Sequence, residues 1–308
     1  MNLRDLEYLI AVADTNHFGK AAERCFVSQP TLSAQIKKVE EFLGVAIFER
    51  TKRSVTLTPV GQKIIDHARQ SIEQVTAMKQ IASAYRDPLA GPLRLGLIPT
   101  LSPYLIPLIL KPLKKELPQM TLRISEETTN TLERRLRDHE IDAAILATPM
   151  PDDGYEEILL FDEPFWLVHP RKHELYTKED ITRHDLKKLQ MLFLSEEHCL
   201  TAQAMDVCRI KERFTEGPME DLRAFGLETL VQLVAAGFGC TLVPALSIHG
   251  NWMTSTGVIA RKLEMKDAFR RIRLVYRASF PRQQALITLS EVINDSLPNT
   301  VRIHELKS

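Results

Sequence analysis

From residue 59 to residue 86 one apolar stripe runs without a break. Ile64, Ala68, Ile72, Val75, Met78, Ala82 and Tyr85 step by three or four, the spacing that puts side chains on one face of an α-helix. Pro59 suits the first turn, while Asp87-Pro88 and then Gly91-Pro92 stop the helix and mark a linker. At 1.5 Å per residue such a helix is about 40 Å long. A lone helix of that length with a bare stripe needs a partner helix. It also divides the chain into residues 1–58, a linker of residues 59–90, and residues 91–308.

The first segment reads as a compact helical unit with a hairpin. Leu6, Leu9, Ile10 and Ala13 share a helix face, and residues 17–25 form a second short helix. Ser28 is a good N-cap for a third, Pro30 falls in its first turn, and Gly44 ends it. IFERTKRSVTLT then alternates around a Lys-Arg-Ser turn, as a two-stranded wing would. The small Ala21 and Ala22 let a second helix cross closely, and Val27 is apolar in the turn. In the third helix Gln29, Thr31, Ser33, Gln35, Lys37 and Lys38 point outward, and Leu32, Ile36, Val39 and Leu43 inward. Amide and hydroxyl side chains bond base edges, and Lys and Arg neutralise phosphates. Arg50, Lys52 and Arg53 in the wing are placed to reach backbone or minor groove. An ordinary solvated helix also shows two lysines; a helix-turn-helix followed by a basic hairpin and a long pairing helix is much less common. The chain's formal net charge is +0, yet residues 20–63 carry eight Lys or Arg against four Glu. Double-stranded DNA is the partner this local excess suits.

After residue 91 the pattern changes. LRLGLI, MTLRI, DAAILA, FWLVH, MLFLS, CTLVP and RIRLVY are strand candidates, with helical stretches such as LIPLILKPLKKEL, TLERRLRDH and LETLVQLVAAG between several of them. Alternation of this kind implies a mostly parallel sheet covered by helices, and the length suits two α/β lobes. With 308 residues, 44% of them hydrophobic, the chain has material for real cores. The N-terminus does not read as a signal peptide, and no run approaches the roughly 18 apolar residues of a membrane span. A cytoplasmic location is expected, with no membrane partner, and there Cys25, Cys199, Cys208 and Cys240 are reduced by default. No spacing suggests a metal site or cofactor, and no nucleophile elbow or P-loop asks for an enzyme.

Cys199 and Cys208 stand nine residues apart in SEEHCLTAQAMDVC. The plain reading is two buried small apolar residues. The setting points elsewhere: Cys199 follows a candidate strand, the end of a strand where α/β ligand sites lie. His198 precedes it. If residues 199–208 are helical, Cys199 sits at the positive end of the helix, which favours the thiolate. Thr100 and Thr129 end two other runs, and hydroxyls there are able to hold a small polar ligand or to cap helices. Nine residues of helix separate the two Cα atoms by roughly 13 Å, against the at most about 7 Å a disulfide tolerates. If that segment is helical when reduced, bonding must unwind it.

The N-terminal 60 residues resemble the DNA-binding domain of LysR-type regulators nearly residue for residue: the Ala pair, SQPTLS, VEEFLGVAIFER and the T-x-x-G exit into a long helix. The resemblance covers the full chain. It implies an α+β multidomain protein: a winged helix-turn-helix, a dimerising linker helix, and a two-lobed regulatory domain like a periplasmic binding protein. It also implies homodimers or homotetramers on promoter operators, with RNA polymerase as a further partner. Gln29, Pro30, Thr31, Ser33, Gln35, Lys37, Arg50 and Arg53 are then the DNA-binding set. GLIPTLSPYLIPLIL, LFDEPFWL, EEHCLTAQAMDVC, LETLVQLVAAGFGCTLVPALS and RIRLVYR resemble the peroxide-sensing OxyR-type branch. That resemblance implies an activator of oxidative-stress genes, in which Cys199 attacks hydrogen peroxide and Cys208 resolves the sulfenic acid to a disulfide. Thr100, Thr129 and His198 then bind and polarise the peroxide. Gly226 departs from the serine that relatives often have there, which puts any hydroxyl contact from this position in question. Cys25 and Cys240 match no redox role and are expected to be buried. Two rivals stand beside this reading: a metabolite-responsive regulator with the same fold, and a cysteine peroxidase or hydrolase carrying a DNA domain.

Overall fold

The computed structural model describes residues 1–50, 55–84, 87–151, 153–210, 226–249 and 257–304. It comprises two compact units, one of Met1–Arg86 with Arg137–His139 and one of Asp87–Leu136 and Glu140–Ser308.

Local signals shape the first unit. Helix α1 (Leu3–Thr15) starts at Asn2, whose side chain and that of Asp5 cap each other's backbone. Helix α2 (Phe18–Arg24) is capped by the imidazole of His17, which accepts from the amides of Gly19 and Lys20. Helix α3 (Gln29–Leu43) starts at Ser28, whose hydroxyl accepts from Thr31 N, and stops at Gly44 in the left-handed region. Strands β1 (Phe48–Arg50) and β2 (Val55–Leu57) pair antiparallel as the wing; Lys52 and Arg53, which the sequence places in its turn, lie outside the described residues. Helix α4 (Pro59–Ala84) follows. Thr58 Oγ1 donates to Ala46 O and accepts from Gly61 N, both at 2.8 Å. A Cβ on Gly61 would stand 2.1 Å from Ile47 O, so only glycine lets α4 leave the wing so closely. Leu9, Val12, Ala21, Ala22, Leu32, Ile36 and Ile47 form the core.

The stripe on α4 is not bare along its whole length. Ala68 is buried in this core, together with Ile65, and Ile64 and Ile72 pack on it. Met78, farther along, is 61% exposed, so the unpartnered part of the stripe begins near Val75. Tyr85 lies outside the described residues.

The second unit contains β3 (Gly91–Leu97), α5 (Ser102–Glu116), β4 (Met120–Glu126), α6 (Thr129–Arg137), β5 (Ala143–Leu146) and the long β6 (Tyr155–Pro170). Then come α7 (Arg183–Lys188), α8 (Cys199–Cys208), α9 (Leu227–Ala235), β7 (Thr241–Pro244), β8 (Val258–Lys262), β9 (Phe269–Arg277), α10 (Gln283–Ser296) and β10 (Arg302–Ile303). The main sheet runs β10-β6-β9-β5-β3-β4. It is mixed rather than mostly parallel: β3 is parallel to β4 and β5, while β9 is antiparallel to both β5 and β6. The physical reason is β6, whose first ten residues pair with β9 and whose last six pair with β7 and β8. One strand therefore belongs to both lobes, and β9 must return against it.

Each lobe has its own core. Lobe I gathers Leu95, Leu97, Leu105, Ile145, Ile272 and Leu289; lobe II gathers Phe165, Leu167, Leu194, Leu200, Val231 and Val243. Tyr104 and Trp166 pack against both. The candidate strand MLFLS is not a regular strand. Its Met191 makes an isolated parallel bridge to Cys240, and Leu192 N donates to Cys240 O at 2.7 Å. No helix among the described residues is long and apolar enough to cross a membrane.

Candidate functional site

In the first unit, α3 is the outward helix the sequence announces. Gln29, Pro30, Thr31, Lys37 and Lys38 are exposed, and Leu32, Ile36 and Val39 are buried. Ser33 is half-buried. Gln35 departs from expectation: it is half-buried, and its Nε2 donates to Asp5 Oδ1 at 2.8 Å. Asp5 is buried in α1, so this amide satisfies an interior carboxylate and ties α3 to α1 instead of reaching out. Arg50 closes β1 opposite Val55, and Arg53 lies outside the described residues.

The second candidate site lies where the two lobes meet. Helix α8 runs from Cys199 to Cys208, and His198 precedes it at the N-cap position without making a side-chain cap bond. Leu200, Ala204, Val207 and Cys208 are part of the lobe II core. Cys199 is half-buried and packs against the core of lobe I. The reactive candidate thus sits on the seam, while Cys208 is 0% exposed. Burial pushes the Cys208 thiol up to about 12, against a smaller opposing pull from the Arg183 charge. At neutral pH only roughly one such thiol in 10⁵ is ionised.

Across the seam, Thr100 and Thr129 are both buried. Neither caps a helix. Helix α5 starts beyond Leu101, and Thr100 Oγ1 instead accepts from Arg270 Nη1 at 2.7 Å, while Thr100 O accepts from Arg270 Nη2 at 3.0 Å. Thr129 Oγ1 has no hydrogen-bond partner among the described residues. His198 is buried as well.

Arg270 is the residue that sequence reading missed. Its side chain and that of Glu163 are both fully buried, with Arg270 Nε donating to Glu163 Oε2 at 2.9 Å. Glu163 Oε1 also accepts from Leu246 N at 2.8 Å. An uncompensated buried charge is expensive, so each ion requires the other. A signal was available: in FRRIRLVYR, alternation puts Arg270 on the inward face with Ile272 and Leu274. A cation at an inward strand position demands a buried partner.

The remaining cysteines differ from one another. Cys240 is buried, as expected, and its thiol is raised to about 12 by burial. Cys25, also expected to be buried, is only half-buried at the end of α2. Gly226 precedes α9 with no side-chain cap bond. Among the described residues no group of three or more His, Cys, Asp or Glu is arranged to hold a metal ion.

Comparison with known proteins adds the following. Residues 3–62 match the family described as bacterial regulatory helix-turn-helix protein, lysR family, and residues 86–298 match LysR substrate binding domain. A hydrogen peroxide-inducible genes activator from Pectobacterium carotovorum subsp. carotovorum is 40% identical over 299 residues, covering 96% of this chain and 97% of that one. A full-length cysteine-to-aspartate variant of Pseudomonas aeruginosa OxyR superposes with a TM-score of 0.81 at 36% identity, over 100% of this chain and 99% of that chain. A hydrogen-peroxide-bound cysteine-to-serine variant of Corynebacterium glutamicum OxyR gives a TM-score of 0.63 at 34% identity, over 96% and 92%.

Proposed function

Because this chain belongs to the LysR family of DNA-binding transcription regulators, and within it to the OxyR branch, we propose that it senses hydrogen peroxide with Cys199. It answers by forming a Cys199–Cys208 disulfide that changes its hold on promoter DNA. The observation that carries this reading is the pair of cysteines at opposite ends of α8, one half-buried against the core of lobe I and one locked in the core of lobe II.

The chemistry follows from the donors. Thr100 Oγ1 already accepts from Arg270, so its own hydrogen is directed elsewhere and is available to a peroxide oxygen. Thr129 brings a second hydroxyl and His198 an imidazole. The Cys199 thiolate attacks one peroxide oxygen, the O–O bond breaks, and the departing hydroxide takes a proton to leave as water. The sulfur is left as a sulfenic acid. Cys208, protonated while buried, becomes a nucleophile once α8 opens. It displaces hydroxide from the Cys199 sulfur, and the S–S bond forms. Opening exposes Leu200 and Val207, which costs roughly 3–6 kcal/mol, so the step is a switch and not a passive crosslink.

Residues 1–58 then read DNA through Gln29, Pro30, Thr31, Ser33, Lys37, Arg50 and Arg53, and residues 59–90 pair two copies, through the exposed part of the α4 stripe, into dimers and tetramers. Residues 91–308 form the redox-sensing part. The protein is a cytoplasmic activator that works with RNA polymerase, and it turns over no substrate and carries no cofactor. A metabolite-responsive regulator would need an unmatched cation for an organic anion, and the guanidinium at this seam is already matched by Glu163. That favours a small uncharged ligand such as peroxide. The test is intact mass with thiol labelling after a low dose of peroxide. A Cys199–Cys208 peptide is expected, Cys199→Ser abolishes the response, and Cys208→Ser leaves Cys199 trapped as sulfenic acid or mixed disulfide. A full DNA response to peroxide in Cys199→Ser overturns the reading.

A further inference from the structure

We propose that Gln203 is a positioning residue for the thiol reaction, a clamp that fixes the reactive face of α8 to lobe I. Gln203 lies four residues after Cys199 in the same helix, so the two side chains share a face one turn apart. Cys199 on that face packs on the lobe I core. Gln203 Nε2 donates to Ala147 O at 2.8 Å, and Ala147 belongs to that same core, one residue beyond β5. The adjacent face, Leu200, Ala204, Val207 and Cys208, is embedded in lobe II. One short helix is therefore bolted to both lobes, apolar residues on one side and an amide on the other. Thr100 and Thr129 come from lobe I, so the Gln203 bond sets the gap that peroxide must bridge between them and the sulfur. Gln203 Oε1 is buried with no hydrogen-bond partner among the described residues. Unwinding α8 toward a disulfide breaks the Gln203 bond and releases lobe I from the helix.

The inference rests on Cys199 being the peroxide-reactive thiol. Its test uses the full chain with Cys208→Ser, so that only the first oxidation is read. Gln203→Met keeps the length of the side chain and loses the donor; Gln203→Glu keeps the shape and loses the donor by ionisation. Each is compared with its parent for the rate of Cys199 oxidation by hydrogen peroxide and the rate of alkylation by iodoacetamide, which needs no threonine across the seam. Positioning predicts that the peroxide rate falls about tenfold while alkylation stays equal or rises. The inference is overturned if the peroxide rate is unchanged, or if both rates fall together, as damage to the fold would cause. If Gln203→Met fails to fold, Gln203→Glu decides. A parent protein whose Cys199 ignores peroxide refutes the reading of Cys199 itself, whereas a reactive parent with indifferent Gln203 variants refutes only the clamp.

Discussion

Helices α3 and α8 are built on opposite principles. In α3 the Ser28 hydroxyl caps the first turn, Pro30 sits in it, and Gly44 takes the left-handed C-cap at φ 71°. In α8 the N-cap side chain makes no cap bond, and the left-handed C-cap at φ 52° is Arg209, a residue with a Cβ. That conformation costs a non-glycine residue roughly 1–2 kcal/mol. Helix α3 would be helical in many contexts; α8 is held by what it packs against. The difference teaches which helix the protein keeps and which it can give up. The reading helix carries its stability in its own sequence, and the switch helix borrows its stability from two lobes.

The largest effect is expected at the seam. Thr100→Val removes the acceptor of Arg270 Nη1, leaving a buried cationic donor unmatched at a cost of about 1–3 kcal/mol. Peroxide oxidation of Cys199 should slow about tenfold or more while reduced-state DNA binding holds, read by stopped-flow thiol loss and operator titration. An unchanged oxidation rate would remove Thr100 from the chemistry.

Next comes pH. Burial holds the Cys208 thiol near 12 against an ordinary value of 9.0. A raised folded value means that the stability it lends is complete below the unfolded value and is lost as pH rises from about 9 toward 12. At pH 10 the reduced closed form should lose about 1 kcal/mol through this group. Urea midpoints at pH 8 and pH 10 check it. Cys240 adds a similar loss, also through burial, so the Cys208 share is the part that vanishes in Cys208→Ser. Equal pH sensitivity in the two proteins contradicts it.

On the other side of the comparison, Ser28→Ala should cost about 1 kcal/mol in α3. Its first-turn amides should then exchange faster by hydrogen–deuterium exchange, with no change in disulfide formation. A slowed disulfide would mean that the two helices are not independent.

The smallest effect sharpens the point. Arg209→Gly relieves the left-handed cap and should stabilise closed α8 by about 0.5–1 kcal/mol. Sulfenic acid formation should be unaffected and the following disulfide step slowed a few-fold, as quenched mass spectrometry would show. Disulfide formation at the parental rate would separate helix opening from resolution.

Much of this was legible without coordinates, and for a local reason. Ser28, Pro30, Gly44 and the stripe of α4 act within a few residues of themselves, through caps, fixed dihedrals and periodicity, so the helix-turn-helix and linker follow from neighbours in the chain. The helix over residues 199–208 has no such signal, because no side chain caps it, so the sequence offers it only as a condition and packing against both lobes decides it. Contacts between distant positions decided the rest. Nothing near Gln35 in sequence says that its amide belongs to Asp5, thirty residues away. MLFLS has a strand's composition, yet it makes isolated bridges and no strand ladder. Arg270 reaches Thr100 across 170 residues and Glu163 across 107, because β6 and β9 pair along the boundary of both lobes. A side chain's neighbours in the chain set its conformation, but its partners in a buried network are set by which strands the fold brings side by side, and only the tertiary structure decides that.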